Sequence, residues 1–237
     1  MLSIKQSLKY LRRLCVLVFG LFLYSVGEVF TYRSDMGLGP WDVFHKGLSL
    51  HTPLSFGQAS ILVGAAIIVL GLFLKVKPGV GTVLNMLLIG LFVDWQLNSK
   101  WLPDLGAMPL SVRLLVDMAG VLIIGLGTAF YIMPLLGAGP RDGLMLRLHG
   151  LTKLRVAMVR AAIELSALTI GFFLGGTVGV GTLVFAFGVG PSVEVGFWLT
   201  RRYLSWLMPA RAENPSTLSP AEEPALAPGS SINHGMK

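Results

Sequence analysis

The sequence is poor in charged residues and almost lacks cysteine. Asp, Glu, Lys and Arg make up only 13% of its 237 residues, about half the share found in an average water-soluble domain. Cys15 is the single cysteine, which excludes an intramolecular disulfide and a metal site built from several thiolates. The net charge is +7, but no basic cluster is longer than a few residues, so a nucleic-acid-binding surface is not expected.

Motifs that carry enzymatic or cofactor chemistry are missing as well. The chain has no H-E-x-x-H, no nucleophile elbow and no phosphate-binding loop. The stretch "GVGTV" is too short for a dinucleotide fingerprint, and it opens an apolar helix rather than a βαβ unit. We therefore expect no enzyme, no catalytic residue, no metal and no cofactor. Four histidines lack metal-ligand spacing: His45, His51, His149 and His234.

The sequence does contain long apolar runs. Hydrophobic residues make up 54% of the chain and the mean hydropathy is +0.72. Six runs approach the ~20 residues that a bilayer crossing requires, which predicts an all-α membrane protein with six transmembrane helices. The first run has a basic prefix, but it is too long for a signal peptide and no cleavage site follows, so we expect it to be retained. The predicted spans are 14–32, 56–74, 79–97, 111–133, 156–175 and 179–199.

The distribution of Lys and Arg predicts the orientation. Most of them precede the first span, follow the last one, or lie in the loops that contain Lys75 and residues 141–155. Because cytoplasmic loops carry the excess of positive charge, both termini should be cytoplasmic. We expect a multi-pass protein of the bacterial cytoplasmic (inner) membrane, in which the positive charge sets topology and contacts anionic lipids.

Two short motifs each occur twice, 100 positions apart. G-x-G-P-x-D is present as Gly37–Asp42 and as Gly137–Asp142, and "GVGT" as Gly79–Thr82 and as Gly179–Thr182. The two halves align over residues 13–98 and 113–198 without a gap. The alignment indicates an internal duplication, with repeat 1 at residues 1–100 and repeat 2 at 101–203. Residues 204–237, rich in Pro, Ala, Ser and Glu, are predicted to form a disordered cytoplasmic tail.

Each repeat contains three spans, and an odd number forces the second copy to enter the membrane from the opposite side. The prediction is therefore two inverted-topology repeats, an arrangement typical of secondary transporters with a site at the repeat interface. The apolar segment after each G-x-G-P-x-D motif is too short to span. We expect a half-helix there, one on the outer side and one on the cytoplasmic side, either entering the membrane or lying on its surface.

Each of the repeated motifs allows two interpretations. Asp42 and Asp142 follow the proline of a helix start, where they either complement the helix N-terminus or bind a cation or proton at paired gates. The glycines of "GVGT" either permit close helix packing or present backbone amides to an anion. Arg160 and Glu164 are one helical turn apart within a span, so they form an ion pair or part of a functional site.

Other acids, at Glu28, Asp94, Asp117 and Glu194, are expected near span ends where water reaches them. The candidate residues for substrate binding or gating are Gly37, Gly39, Pro40, Asp42, Gly137, Gly139, Pro140, Asp142, Gly79, Gly81, Thr82, Gly179, Gly181, Thr182, Glu164 and Arg160.

The duplicated three-helix halves, with G-x-G-P-x-D after the first helix and G-x-G-T opening the third, resemble the YczE/YyaS/YitT family of bacterial membrane proteins. The resemblance covers about residues 10–200 and is stronger for the YczE-like branch. It implies a multi-span inner-membrane protein, and one branch of the family is linked to control of secondary-metabolite production. It implies no substrate and no catalytic residue.

Two classes of function follow. The first is a transporter or permease for a small solute or ion that works by alternating access between the two repeats. The second is a non-transporting membrane factor that regulates or scaffolds by binding a protein partner. The expected partners are the lipid bilayer and either a solute or ion, a second copy of the chain in a homodimer, or another membrane protein.

Overall fold

The computed structural model describes residues 4–203 and contains eight α-helices in that part of the chain. The tail predicted at 204–237 lies outside the described residues. The helices are α1 Ile4–Ser34, α2 Pro40–His51, α3 Phe56–Phe73, α4 Val80–Ser99, α5 Leu110–Ile132, α6 Pro140–Thr152, α7 Val156–Phe173 and α8 Val180–Tyr203.

Six of these helices are long and apolar enough to cross a membrane, and they coincide with the six predicted spans. The two exceptions are α2 and α6, with 12 and 13 residues, which are the short helices expected after each G-x-G-P-x-D motif. Helix α1 begins about ten residues earlier than the predicted span. No glycine or proline interrupts residues 4–14, so the helix continues through polar sequence that hydropathy alone does not count as a span.

Helices α1 and α5 cross antiparallel at the centre of the protein. Gly27 lies against Gly120, and Gly20 lies against the backbone of Tyr131, so the chain directions oppose each other. A Cβ on Gly120 would stand 2.8 Å from the carbonyl oxygen of Gly27. The glycines therefore allow the two backbones to approach more closely than larger residues would.

Equivalent arginines fasten the two ends of this crossing. Arg13, the tenth residue of α1, donates through Nε to the carbonyl oxygen of Pro134 at 2.8 Å. Arg113 at the start of α5 donates through Nε to the carbonyl oxygen of Ser34, also at 2.8 Å. Each side chain satisfies carbonyl oxygens at or just beyond the C-terminal end of the opposite helix, where intrahelical partners run out.

Each G-x-G-P-x-D loop packs against the "GVGT" segment of the other half. The backbone N–H of Gly181 donates to the carbonyl oxygen of Met36 at 2.7 Å, and that of Gly81 donates to the carbonyl oxygen of Leu136 at 2.8 Å. Thr82 Oγ1 also donates to the carbonyl oxygen of Ala138 at 2.6 Å. The repeated glycines thus join the halves by backbone contacts that a side chain would block.

The loop itself requires glycine at its first position. Gly37 and Gly137 have φ values of +113° and +128°, a conformation that glycine adopts without the strain a Cβ would bring. The chain then turns into α2 at Pro40 and into α6 at Pro140, since proline suits the first position of a helix. The two short helices are held between the halves, where α2 contacts α3 and α7, and α6 contacts the same pair.

Candidate functional site

A cavity of about 860 Å³ lies between the two halves and is lined by residues from all eight described helices. Both short helices turn their first residues toward it: Pro40 and Asp42 of α2, and Pro140 and Asp142 of α6 line its wall. The volume is within the range of about 300–1,000 Å³ that is usual for small-molecule sites. The lining is mainly apolar and also contains several charged groups. This composition is usual for small-molecule sites.

Two acids from different elements meet at the inner wall. Glu28 of α1 and Asp42 of α2 are only 3% and 4% exposed, and their carboxyl groups are close enough to interact directly. Oδ1 of Asp42 has no hydrogen-bond partner. A buried polar atom without a partner costs free energy, so this oxygen is a candidate contact for a bound molecule.

The position of Asp42 bears on the capping interpretation. The N-cap of α2 is Gly39, which has no side chain, and Asp42 occupies the third position of the first turn. An acid there still interacts favourably with the helix dipole. Oδ1 is buried and has no hydrogen-bond partner, so the helix dipole does not account for the whole carboxylate.

His45 and Arg141 complete the environment of this acid. Nδ1 of His45 lies 3.5 Å from Oδ1 of Asp42, and Nε2 of His45 lies 3.4 Å from Nη2 of Arg141. The Arg141 guanidinium is stacked over the ring of Trp41, 4.6 Å from its centroid. Arg141 is thus held in place by an aromatic face and a histidine.

Two groups on the short helices, outside the six membrane-spanning helices, have shifted pKa values. Burial lowers the pKa of His45 below its usual value, against the opposing effect of Asp42. The His45 imidazole is therefore neutral at pH 7. Burial also raises the pKa of Asp142, although Arg160 and Arg141 oppose the shift. Within residues 4–203, no group of three His, Cys, Asp or Glu side chains is arranged to hold a metal ion.

Helices α7 and α8 both line the cavity and stand apart from each other. They make almost no mutual contact, and nothing lies within 4 Å of where a Cβ on Gly190 would stand. Arg155 at the start of α7 and Glu194 of α8 are both exposed, and no ion pair joins them within the described residues. Charged side chains from both helices line the cavity: Arg160, Glu164, Glu194, Arg201 and Arg202.

The equivalent helices of the first half, α3 and α4, are closed. A Cβ on Gly90 would lie 2.5 Å from the carbonyl oxygen of Gly57. The carboxylate of Asp94 accepts a hydrogen bond from the backbone N–H of Gly57 at 2.8 Å and another from the Ser55 hydroxyl. Gly64 faces Met86 farther along the same helix pair. Glu164 stands at the position equivalent to Gly64, so the second half lacks a small residue that the first half uses for close packing.

The structure divides the sequence-predicted site residues into two groups. One group lines the cavity: Gly39, Pro40, Asp42, Gly139, Pro140, Asp142, Arg160 and Glu164. The other group does not line it and instead joins each motif loop to the opposite half: Gly37, Gly79, Gly81, Thr82, Gly137, Gly179, Gly181 and Thr182. The close-packing interpretation of the "GVGT" glycines agrees with these contacts.

The ion pair expected between Arg160 and Glu164 is present. Nε of Arg160 lies 2.8 Å from Oε1 of Glu164. The two side chains are 55% and 35% exposed, because both face the cavity rather than lipid. The two interpretations drawn from the sequence are therefore compatible: the residues pair with each other and also border the candidate site.

The environment of several polar and aromatic residues was not predicted from the sequence. The expectation that Glu28 and Asp117 are reached by water was wrong, since they are 3% and 0% exposed. His45, for which the sequence indicated only a lack of metal-ligand spacing, is fully buried. Trp41 and Arg141 were not singled out, although they flank Pro40 and Asp142 within the repeated motifs. The position after the motif proline differs between the two copies, with Trp41 in one and Arg141 in the other. This difference was the available signal.

Comparison with known proteins finds relatives without an established function. A family model described as "Family of unknown function (DUF6198)" matches residues 11–196. An uncharacterized protein of Haemophilus influenzae is 36% identical over 183 residues, which cover 77% of this chain and 82% of the relative. The uncharacterized membrane protein YczE of Bacillus subtilis is 38% identical over 178 residues, with 75% and 78% covered.

A second Bacillus subtilis protein, the uncharacterized protein YyaS, is 28% identical over 170 residues, covering 70% of this chain and 82% of the relative. The resemblance to YczE and YyaS that the paired motifs indicated is thus confirmed. No solved structure matches the chain. With six helices able to cross a bilayer and a membrane protein among its relatives, the chain is a membrane protein.

Proposed function

We propose that this chain, which belongs to the family of unknown function DUF6198, transports a small solute or ion across the bacterial cytoplasmic membrane. The transport would proceed by alternating access between two inverted repeats, with the solute held in the cavity between them. The observation that carries the proposal is the difference between equivalent helix pairs. The pair α3–α4 is closed over the cavity, whereas the pair α7–α8 is open to it.

The packing of α1 and α5 supports the inverted relation of the repeats. These helices are equivalent in the internal duplication, and they cross antiparallel through glycines that are also equivalent. An odd number of spans per repeat requires the second copy to run through the membrane in the opposite direction to the first. Together with the positive-inside distribution, this arrangement supports an orientation in which the open α7–α8 cleft faces the cytoplasm.

The charges at the open cleft support a second, closed arrangement. Arg155 and Glu194 occupy the positions equivalent to Ser55 and Asp94, the pair that closes α3 on α4. The residues have opposite charge and are unpaired with each other in this structure. In the opposite state of the cycle, we propose that Arg155 and Glu194 pair and that the Ser55–Asp94 contact separates.

Pro191 in α8 is suited to such a movement. It lies inside the helix, directly after Gly190, whereas α4 has Leu91 at the equivalent position. Proline removes one backbone hydrogen bond from a helix interior, and glycine packs loosely beside it. Helix α8 therefore has a point of lower bending stiffness that α4 lacks.

Paired cysteines test the proposal without knowledge of the substrate. In a Cys15→Ser background, Ser55→Cys with Asp94→Cys forms an outer pair, and Arg155→Cys with Glu194→Cys forms an inner pair. With a short bifunctional thiol reagent in membranes, alternating access predicts that both pairs cross-link, because each closes in one state. A protein with both pairs that is first locked at one gate should cross-link less at the other.

The single-cysteine variants and the Cys15→Ser parent are the controls for non-specific reaction. A non-transporting regulatory or scaffold protein would keep the state described here, so only the outer pair would react. An inner pair that never cross-links, while the outer pair reacts fully, would therefore contradict the transport proposal.

A further inference from the structure

The geometry of the cavity points to a class of solute: we infer that it binds a small organic cation, an ammonium group on an apolar or aromatic body, at the carboxyl groups of Glu28 and Asp42. This inference rests on the proposed transport function for its biological meaning. The binding itself can be measured independently of transport.

The formal charges of the residues that line the cavity do not cancel. Five carboxyl groups line it, those of Glu28, Asp42, Asp142, Glu164 and Glu194, against four guanidinium groups, those of Arg141, Arg160, Arg201 and Arg202. One negative formal charge is therefore left in excess. A monovalent ammonium would balance it.

Asp42 has an unpartnered buried oxygen. The residue is 4% exposed, lines the cavity, and leaves Oδ1 without a hydrogen-bond partner. Nδ1 of His45 lies 3.5 Å from this oxygen, which is longer than a normal hydrogen bond. An ammonium N–H would supply a charge-assisted donor to this oxygen, and such hydrogen bonds are stronger than those between neutral groups.

Three of the four arginines that line the cavity already have partners. Arg141 is stacked on Trp41 and contacts His45, and Arg160 is paired with Glu164 at 2.8 Å. Arg201 lies over the ring of Phe197. A carboxylate or phosphate ligand at these three arginines would compete with their contacts, whereas an ammonium group at Glu28 and Asp42 would not.

The aromatic wall of the cavity indicates what the rest of the solute molecule is like. Aromatic rings of Tyr24, Tyr131 and Phe185 line the same cavity, and the two tyrosine rings pack edge to face with centroids 6.2 Å apart. Aromatic faces attract organic cations and bury apolar groups. The combination of acidic oxygens and aromatic walls favours an organic ammonium compound over a bare metal cation, which would require more oxygen ligands.

Three probes with one indole body and different end groups test the inference. Tryptamine carries an ammonium group, tryptophol a hydroxyl group and indole-3-propionate a carboxylate. Binding to the purified full-length protein in detergent micelles is measured by isothermal titration calorimetry at pH 7. Tryptamine should bind with a Kd below about 1 mM, and the other two should bind at least about tenfold more weakly because they cannot donate a charged hydrogen bond to Asp42.

Two variants place the binding at the proposed carboxyl groups. Asp42→Asn and Glu28→Gln keep the shape of the side chain and remove its charge, so each should weaken tryptamine binding by about tenfold or more. Asp104→Asn, in the exposed loop between α4 and α5, is the matched control and should leave binding unchanged. Size-exclusion chromatography identifies a variant that fails to fold, and in that case the series of three probes decides the question.

The outcomes separate this inference from the proposed function. Binding of tryptophol or indole-3-propionate as tight as that of tryptamine, or no binding of any probe, would overturn the assignment of a cationic solute. Transport is then measured separately, as exchange of labelled tryptamine in proteoliposomes. Binding of tryptamine without its exchange would support the ligand class and contradict transport. Exchange of an anionic or neutral solute would support transport and contradict the ligand class.

Discussion

Gly57 and Gly90 bring α3 and α4 into backbone contact, and a Cβ on Gly90 would lie 2.5 Å from the carbonyl oxygen of Gly57. The equivalent residue of the second half, Gly190, has open space around it. Gly90 therefore lies in a closely packed helix pair, whereas Gly190 lies in an equivalent pair that is open. This difference makes Gly90 and Gly190 a matched pair for mutation.

Gly90→Ala should destabilise the protein, because the added methyl group meets the Gly57 backbone, which cannot move away as a side chain would. Overpacking of this kind costs about 1–3 kcal/mol. Gly190→Ala should leave stability unchanged or raise it slightly, since alanine favours helix. Thermal unfolding of the two purified variants in the same detergent measures the difference. Equal melting temperatures would contradict the close approach of α3 and α4.

A second prediction concerns the turn before α2. Gly37→Ala should destabilise the protein by about 1–3 kcal/mol, because alanine is strained at a φ of +113°. The added Cβ would also meet the side chain of Thr182 at 2.8 Å. Gly150→Ala is the control, since nothing lies within 4 Å of its Cβ position and its φ is not positive. A Gly37→Ala melting temperature equal to that of the control would show that the turn relaxes freely.

A third prediction concerns the ion pair of α7. Arg160→Gln should cost less than about 1 kcal/mol of stability, because both partners are partly exposed to the cavity and water screens the charge left on Glu164. The double variant Arg160→Gln with Glu164→Gln should regain that loss. Thermal unfolding of the single and double variants completes a mutant cycle. A loss of several kcal/mol in the single variant would indicate a dry, fully buried pair and contradict the open cleft.

A fourth prediction tests orientation. Asp104 and Lys153 lie in exposed loops that join α4 to α5 and α6 to α7. In a Cys15→Ser background, Asp104→Cys should react with an impermeant thiol reagent applied to whole cells. Lys153→Cys should react only after the membrane is opened. Labelling of both residues from outside would contradict the odd number of spans in each repeat.

The sequence alone determined most of the secondary structure and the membrane class. The six apolar runs predict the six long helices within a few residues, because a helix that crosses lipid must be long, apolar and internally hydrogen-bonded. The two short helices followed from the position of Pro40 and Pro140 after glycine pairs, since these residues have strong local conformational preferences. The Arg160–Glu164 pair followed from helical spacing alone.

The composition of the cavity could be predicted only in part. Asp42 and Asp142 were identified because they belong to a repeated motif. Glu28 was not identified as a site residue, because its position within the first span does not indicate which side chain of another helix it contacts. The contact between Glu28 and Asp42 joins α1 to α2 across a turn with a positive φ at Gly37, and no local pattern encodes that distance.

The sequence by itself determined that the chain is a helical membrane protein with two motifs that each recur 100 positions apart, because hydropathy, glycine and proline act locally and leave a readable pattern. Only the tertiary structure decided that each motif loop packs on the opposite half, that α3–α4 is closed while α7–α8 is open, and that two acids meet beneath Trp41 and Arg141. These features depend on the packing of helices distant in sequence. In that packing, the two halves adopt different arrangements and differ at positions such as Gly64 and Glu164, where a small residue lets two helices approach more closely than a large one.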